Sequence, residues 1–189
     1  YGHERIEYIA GLIVSIIIAL GAQVYINSAY NKNNKISSST GIKGCEAARR
    51  ILDRNGLTNV EVEMVGGYLS DHYDPRTKKV RLSSNNYNTN SISAIAVAAH
   101  ECGHALQDKD NYTFMRIRAS LVPLVNFSSY AGYVSIMIGI IAGALNFIMI
   151  GIITEMIILL FQMVTLPVEF NASKRALTQV QELALLTSE

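Results

Sequence analysis

The stretch "AIAVAAHECGHALQD", residues 94–108, sets two histidines four positions apart among small apolar residues. Such a composition predicts a helix over residues 92–108 that is packed in a protein core. Residues four apart lie on one face of a helix, so His100 and His104 can both direct a ring nitrogen to one Zn²⁺ at about 2.0–2.1 Å. The spacing therefore predicts two ligands of a zinc site.

Glu101 follows the first histidine and lies at the edge of the same helical face. In His-Glu-x-x-His hydrolases a carboxylate at this position acts as general base toward a water molecule that the metal activates. The alternative is three separately satisfied polar residues on a buried helix. Burying such groups without partners is costly, so metal binding is favoured. Cys102 points away from this face and is predicted to be a reduced thiol in the core.

The apolar residues of the chain are concentrated in two regions. No charged residue occurs from Ile9 to Ile26, and Glu155 is the only one from Ala119 to Val168. A bilayer core requires about 20 apolar residues per helix. The chain is therefore predicted to be a helical membrane protein, and its net charge of +1 gives no indication of nucleic-acid binding. The predicted transmembrane helices cover residues 8–27, 121–143 and 146–167.

The first apolar segment has an alternative interpretation as a secretory signal. Its uncharged run is longer than the core of a usual signal, and no clear cleavage site follows it, so a membrane anchor is favoured. Positive residues next to membrane spans favour the cytoplasmic side. They follow the first span, precede the second and follow the third: Lys32, Lys35, Arg116, Arg118, Lys174 and Arg175. Residues 28–118 and 168–189 are therefore both predicted to lie in the cytoplasm.

Residues 28–118 are predicted to form a small α+β domain between the first two spans. An amphipathic helix is expected within "STGIKGCEAARRILDRNGL", residues 39–57, and "VEVEMV", residues 60–65, alternates as a half-buried strand does. An Asp-Pro turn then leads into a short strand over residues 79–82. This strand has few evident partners, so it is expected to be a sheet edge that aligns an extended peptide. The candidate substrate-binding residues are Val80, Arg81, Leu82 and His72.

His72 also has two possible roles. It either stabilises an oxyanion in the site or shapes the turn of "DHYDP", and the sequence does not fix the direction of its side chain. Glu155 is expected near the lumenal end of the third span, where it would meet lipid headgroups, although an intramembrane carboxylate can also belong to a polar pathway.

A third zinc ligand can be sought among the remaining acidic residues. Asp108 is eight residues from His100, about 12 Å along the helix, which is too far to share one metal. Glu155 lies fourteen residues before Glu169, about 21 Å deeper if helical. Glu169 remains, and it stands where the third span emerges on the cytoplasmic side. Gln107 and Asp110 stand where the metzincin pattern needs Gly and His, which excludes that class.

Four segments together resemble the YugP-like membrane zinc metallopeptidases. They are "DHYDPRTKKVRLS", "AHECGHALQ", "SLVPLVN" and "TLPVEFNASKRAL". The chain is more distantly similar to the HtpX and CAAX-prenyl proteases. The resemblance implies a gluzincin-like domain in which His100, His104 and Glu169 bind zinc and Glu101 is the base. Ser173 stands where the distant relatives have Asp, and Asn171 where the nearer family often has Asp. The family usually continues into a further hydrophobic segment, so the chain is expected to be part of a longer protein.

These observations predict a zinc endopeptidase anchored in a bacterial-type cell membrane by several spans. Its expected substrates are peptides or membrane proteins, and no pattern specifies an oligomeric state. A site-2-type intramembrane protease is an alternative, but the apolar run before His100 has only about ten residues against the roughly 20 of a span. The other alternative is a non-catalytic membrane scaffold with a structural zinc, which would normally have four protein ligands.

Overall fold

The computed structural model describes residues 2–186, and within them the fold is predominantly helical with one small sheet. The first element is the long helix α1, and a mixed region of three short strands and two helices follows it. Three further helices complete the described chain. The elements are α1 Gly2–Asn34, α2 Gly44–Arg54, β1 Glu61–Val65, β2 His72–Asp74, β3 Lys79–Ser83, α3 Ser84–Asn88, α4 Ile92–Lys109, α5 Thr113–Ala142 and α6 Leu145–Glu182.

Three of the helices are long and apolar enough to cross a membrane. The qualifying segments are Ile13–Asn34, Thr113–Ala142 and Asn146–Glu182. Large apolar side chains on these helices are exposed, such as Ile141 at 80%. A surface of this kind is suited to lipid rather than water.

The predicted third span over 146–167 and the start of the predicted cytoplasmic segment over 168–189 belong to one helix. Helix α6 is continuous from Leu145 to Glu182 and contains Pro167. Proline removes one helical hydrogen bond, but neighbouring packing can keep a long helix intact through it. One rigid element therefore connects the apolar hairpin with the small domain.

Helices α5 and α6 pack side by side and are joined by a tight turn at Gly143, which has a positive φ of 64°. Glycine adopts this left-handed conformation without steric cost. Close packing of the two helices also depends on Gly132, because a Cβ at that position would overlap the Thr154 hydroxyl. Small residues at such contacts allow helix backbones to approach each other.

The sheet has the strand order β1-β3-β2, with β1 parallel and β2 antiparallel to β3. The prediction that residues 79–82 form a sheet edge is therefore wrong, because β3 is the central strand. The sequence did not reveal β2, which is only three residues long. Val80 and Leu82 are fully buried under the helices, so their side chains stabilise the core. The strand at the edge of the sheet on the side of the Asp-Pro turn is β2.

Helices α2 and α4 cover the sheet and form the core of the domain through Ile51, Leu52 and Ile95. Helix α4 also packs along the last part of α6. A Cβ at Gly103 would overlap the carbonyl oxygen of Ala172, so this glycine sets the close approach of the two helices. The contact brings the His-Glu-x-x-His helix next to the segment that carries Glu169.

The end of α1 is fixed to the domain by polar contacts. The Tyr30 hydroxyl donates to Asn86 Oδ1 at 2.7 Å and accepts from Asn85 Nδ2 at 2.8 Å. Ser93 Oγ donates to the Tyr30 carbonyl at 2.9 Å. Asn86 also donates to Asp71 at 2.9 Å, next to His72. The first apolar helix is thus connected to the loop that precedes β2.

Candidate metal centre

Helix α4 begins at Ser91, whose hydroxyl accepts a hydrogen bond from the Ala94 amide. The predicted helix over 92–108 has observed bounds Ile92–Lys109. The rings of His100 and His104 lie edge to face with centroids 4.8 Å apart, as expected of residues one turn apart.

Helix α6 places Glu169 beside both rings. Its Oε2 lies 3.1 Å from His100 Nε2 and 3.5 Å from His104 Nε2. The candidate ligand atoms of the three residues all lie within 4.8 Å of one another. Ligands about 2.0–2.1 Å from a tetrahedral zinc are about 3.3 Å apart, which the two distances to Glu169 approximate. The donor set therefore fits a zinc ion, and the Glu169 carboxylate lies at a suitable distance from both rings.

The orientation of His104 is set by Gln107. The Gln107 amide nitrogen donates to the Val168 carbonyl at 2.8 Å and to Asn171 Oδ1 at 3.0 Å. Its oxygen therefore faces His104 Nδ1, 3.0 Å away, and must accept a hydrogen bond from the Nδ1–H group. The Nε2 atom of the neutral ring then has a free lone pair directed toward Glu169, as a metal ligand requires.

His100 has a corresponding partner on α6. Its Nδ1 lies 3.2 Å from the Ser173 hydroxyl, while its Nε2 is directed toward Glu169. Ser173 occupies the position where the distant relatives have Asp, and it contacts the histidine with a hydroxyl instead of a carboxylate. Asn171 also accepts a hydrogen bond from Arg175 Nε at 2.8 Å, which connects Gln107 to the outer surface of α6.

Burial changes the proton affinity of the central residues. Glu101 is 8% exposed, and burial raises the pKa of its carboxyl group, although the charges of His104 and His100 partly oppose this. Burial alone would lower the pKa of His104. The neighbouring carboxylates of Glu169 and Glu101 and the contact with Gln107 together act in the opposite direction, so this pKa is raised.

A cavity of about 460 Å³ lies over the cluster and brings together residues from four parts of the chain. Helix α4 contributes His100, Glu101 and His104, and α6 contributes Glu169. The loop and strand around β2 form one wall, and the first turns of α5 form another. The remaining lining residues are Asp71, His72, Tyr73, Pro75, Arg76, Met115, Arg118, Ala119 and Val122.

His72 lines this cavity, but its hydrogen bonds restrict its role. Its Nδ1 lies 2.8 Å from the Ser70 carbonyl, to which it must donate, and Arg81 Nη1 lies 3.5 Å from its Nε2. In the neutral form, Nε2 is therefore an acceptor and not an oxyanion donor.

The other predicted substrate residues do not line the cavity. Val80 and Leu82 are in the core, and the Arg81 guanidinium pairs with Glu63 and Asp74. Glu155, which was predicted near the lumenal end of the third span, lies on the exposed surface of α6. It lines a separate groove together with Gln162 and is well inside the helix rather than at its start. These four residues stand apart from the metal cluster.

Sequence reasoning missed the role of Gln107, which it used only to exclude the metzincin pattern. The helical spacing contained a signal, because a residue three positions after His104 lies on the same face. Asp71 was also missed. It accepts from the Ser83 amide at 2.7 Å and thereby fixes the loop before His72. No local pattern indicates that contact, because it depends on the sheet.

Comparison with known proteins identifies the family. Residues 8–189 match the family described as "Putative neutral zinc metallopeptidase". The chain is 47% identical over 164 residues to the "Putative membrane protease YugP" of Bacillus subtilis strain 168, covering 87% of this chain and 73% of that protein. No solved structure shows significant similarity to the chain. The chain therefore belongs to this family of membrane-associated zinc metallopeptidases.

Proposed function

We propose that the protein is a membrane-anchored zinc endopeptidase of the gluzincin type. The observation that carries this proposal is the convergence of His100, His104 and Glu169 in one cavity, with the buried carboxyl group of Glu101 beside them. The relative named as a membrane protease supports the same reaction class. Peptides or membrane proteins are the corresponding substrates.

In this proposal His100, His104 and Glu169 hold the metal through two imidazole nitrogens and one carboxylate oxygen. A Zn²⁺ ion held by these residues would supply Lewis acidity and would activate a water molecule for attack on a peptide carbonyl. Glu101 accepts a proton from that water and delivers it to the leaving amine. Its burial raises its pKa, which suits a general base that must later act as an acid near neutral pH. Gln107 and Ser173 hold the two rings in position.

The exposed edge of β2 offers a place for an extended substrate. His72 and Tyr73 on this strand line the cavity, and the strand pairs with β3 on its other side. Main-chain groups at a sheet edge can bind a peptide in an extended conformation. This arrangement replaces the role that the sequence assigned to residues 79–82.

The proposed arrangement in the membrane has residues 8–27, 121–143 and 146–167 as spans. Residues 28–118 and 168–189 then lie together in the cytoplasm, because the metal ligands come from both segments and positive residues flank the spans. Labelling of single cysteines placed at Lys78 and Lys174 tests this topology. Both sites should react from the cytoplasmic side, and labelling from opposite sides would contradict the proposal.

The decisive experiment for function compares Glu101→Gln with Glu169→Gln. Glu101→Gln should keep one zinc per chain and lose nearly all peptide cleavage, because the amide cannot accept the proton. Glu169→Gln removes a charged ligand and should lower both zinc content and cleavage. Glu182→Gln is a matched control, since Glu182 lies on the same helix and pairs with Arg54 outside the cavity.

Zinc content by atomic absorption and cleavage of casein distinguish the alternatives. Retained cleavage by Glu101→Gln would contradict the proposed reaction. If neither the wild-type protein nor any variant cleaves casein while zinc stays stoichiometric, a structural zinc in a membrane scaffold is favoured. Full zinc content in Glu169→Gln would favour a site-2-type centre with another third ligand.

A further inference from the structure

One wall of the cavity carries an arginine whose Nε atom lacks a polar partner among the residues that the structure describes. Arg118 lies in the first part of α5, and its side chain lines the cavity together with Met115, Ala119 and Val122 from the same face of the helix. The Arg118 Nε atom is buried and forms no hydrogen bond with any residue that the structure describes. A buried guanidinium nitrogen without a partner is unfavourable, so the described residues do not account for the position of this side chain. A ligand in the cavity can reach the guanidinium only through its terminal nitrogens.

The Arg118 head group faces an aromatic ring. Its Cζ lies 6.0 Å from the centroid of the Phe161 ring on α6. The ring face stabilises the positive charge and leaves the edge of the planar guanidinium free for hydrogen bonds. Arg118 is therefore held in position without being neutralised by a carboxylate.

The position of Arg118 separates it from the reacting centre. Phe161 is eight residues before Glu169 on the same helix, which corresponds to about 12 Å along the axis. An oxyanion formed at the cleaved bond would lie within a few ångströms of the metal ligands. An extended peptide spans about 12 Å with three to four residues. Arg118 is thus placed to contact a substrate group several residues away from the cleaved bond.

The other charges of the cavity do not satisfy this arginine. The carboxylate of Asp71 is already bonded to Ser83 and Asn86, and Glu101 and Glu169 belong to the metal cluster. The Arg118 guanidinium therefore has no carboxylate partner among the residues that the structure describes. Arginine binds carboxylates through two parallel hydrogen bonds, which gives both affinity and geometric selectivity.

We propose that Arg118 is a specificity-determining residue that binds a carboxylate of the substrate about three residues from the cleaved bond. This inference rests on the proposed peptidase function. The carboxylate belongs either to an Asp or Glu side chain or to the C-terminus of a short peptide. Both sources have the same chemistry, and the peptides described below separate them.

The test uses quenched fluorescent octapeptides in which one Glu is moved through every position, each paired with its Gln counterpart. A second set compares the C-terminal acid with the C-terminal amide. Binding is measured by fluorescence anisotropy in neutral detergent with the Glu101→Gln protein, which separates recognition from turnover. Cleavage of the same peptides by the protein with Glu101 intact tests the peptidase function independently.

With Glu at one position, or with a free C-terminal acid, the peptide should bind at least about tenfold more tightly than its neutral counterpart. The neutral peptide cannot form the charged contact with two parallel hydrogen bonds. Adding Arg118→Gln should reduce this ratio to about one. Arg118→Lys keeps the charge but not the two parallel hydrogen bonds, so its ratio should be intermediate. Arg116→Gln is the matched control, since Arg116 lies on the same helix, bonds to Asn111 and does not line this cavity.

An acidic-to-neutral ratio near one in the protein that retains Arg118 would overturn the proposal at once. An equal ratio with and without Arg118 would overturn it too, even if the protein cleaves peptides. Equal weakening of acidic and neutral peptides by Arg118→Gln would instead assign the arginine to structure or to lipid phosphates and would also reject the proposal. Cleavage of no peptide by the protein with Glu101 intact would contradict the peptidase function itself.

Discussion

Replacement of Gln107 by Met should weaken zinc binding without touching a metal ligand. Gln107 is completely buried, and its oxygen is the acceptor for His104 Nδ1. Methionine has a similar shape but is a poor acceptor for the hydrogen bond that His104 Nδ1–H donates. The His104 ring would then lose the hydrogen bond that keeps Nε2 free and directed toward Glu169. Loss of such an outer contact typically lowers metal affinity about 10- to 100-fold.

The effect on stability can be separated from the effect on zinc. Asn171 still accepts from Arg175, and the Val168 carbonyl keeps its place in helix α6. The main unsatisfied group is therefore the His104 N–H, with a cost of roughly 1–3 kcal/mol. A loss of this size leaves a folded domain in which zinc affinity can be measured by competition with a chelator.

Gln179→Met is the matched control for this prediction. Gln179 is also a buried glutamine of the domain, 9% exposed, and accepts a hydrogen bond from Asn55 at 2.8 Å. Its replacement should cost about 1 kcal/mol of stability and leave zinc affinity unchanged, because it contacts neither histidine. Equal zinc affinities for Gln107→Met and Gln179→Met would refute the orienting role of Gln107.

Three further substitutions test the packing around the site. Gly103→Ala should lower zinc affinity more than tenfold, because the new methyl group overlaps the Ala172 carbonyl and moves α4 away from α6. Chelator competition measures this affinity, and an unchanged value would show that the close contact is not needed. Ser173→Ala removes one partly exposed hydrogen bond and should weaken zinc binding only a few-fold, less than Gln107→Met. Tyr30→Phe should reduce stability by about 1 kcal/mol and leave zinc binding unchanged, because its hydroxyl bonds to Asn85 and Asn86, which do not line the metal cavity.

Local patterns in the sequence identified the residues that belong to one helix. The spacing of His100 and His104 is a property of a single helix, and Glu101 follows from the same geometry. The long uncharged runs likewise reveal the three apolar helices, because each needs only its own length and composition. Glu169 was found by elimination among few carboxylates, since a helix of known rise excludes Asp108 and Glu155 by distance.

Tertiary structure alone decided which distant residues meet. Strand β3 is central rather than at an edge because β2, a strand of three residues with no strong pattern, pairs with it. Gln107 joins His104 to Val168 only because Gly103 lets α4 and α6 pack closely. Arg118 appeared in the sequence as one of several positive residues beside a span, and the packing of α5 on α6 places it in the cavity. Such contacts depend on the relative positions of whole elements, which local periodicity does not encode.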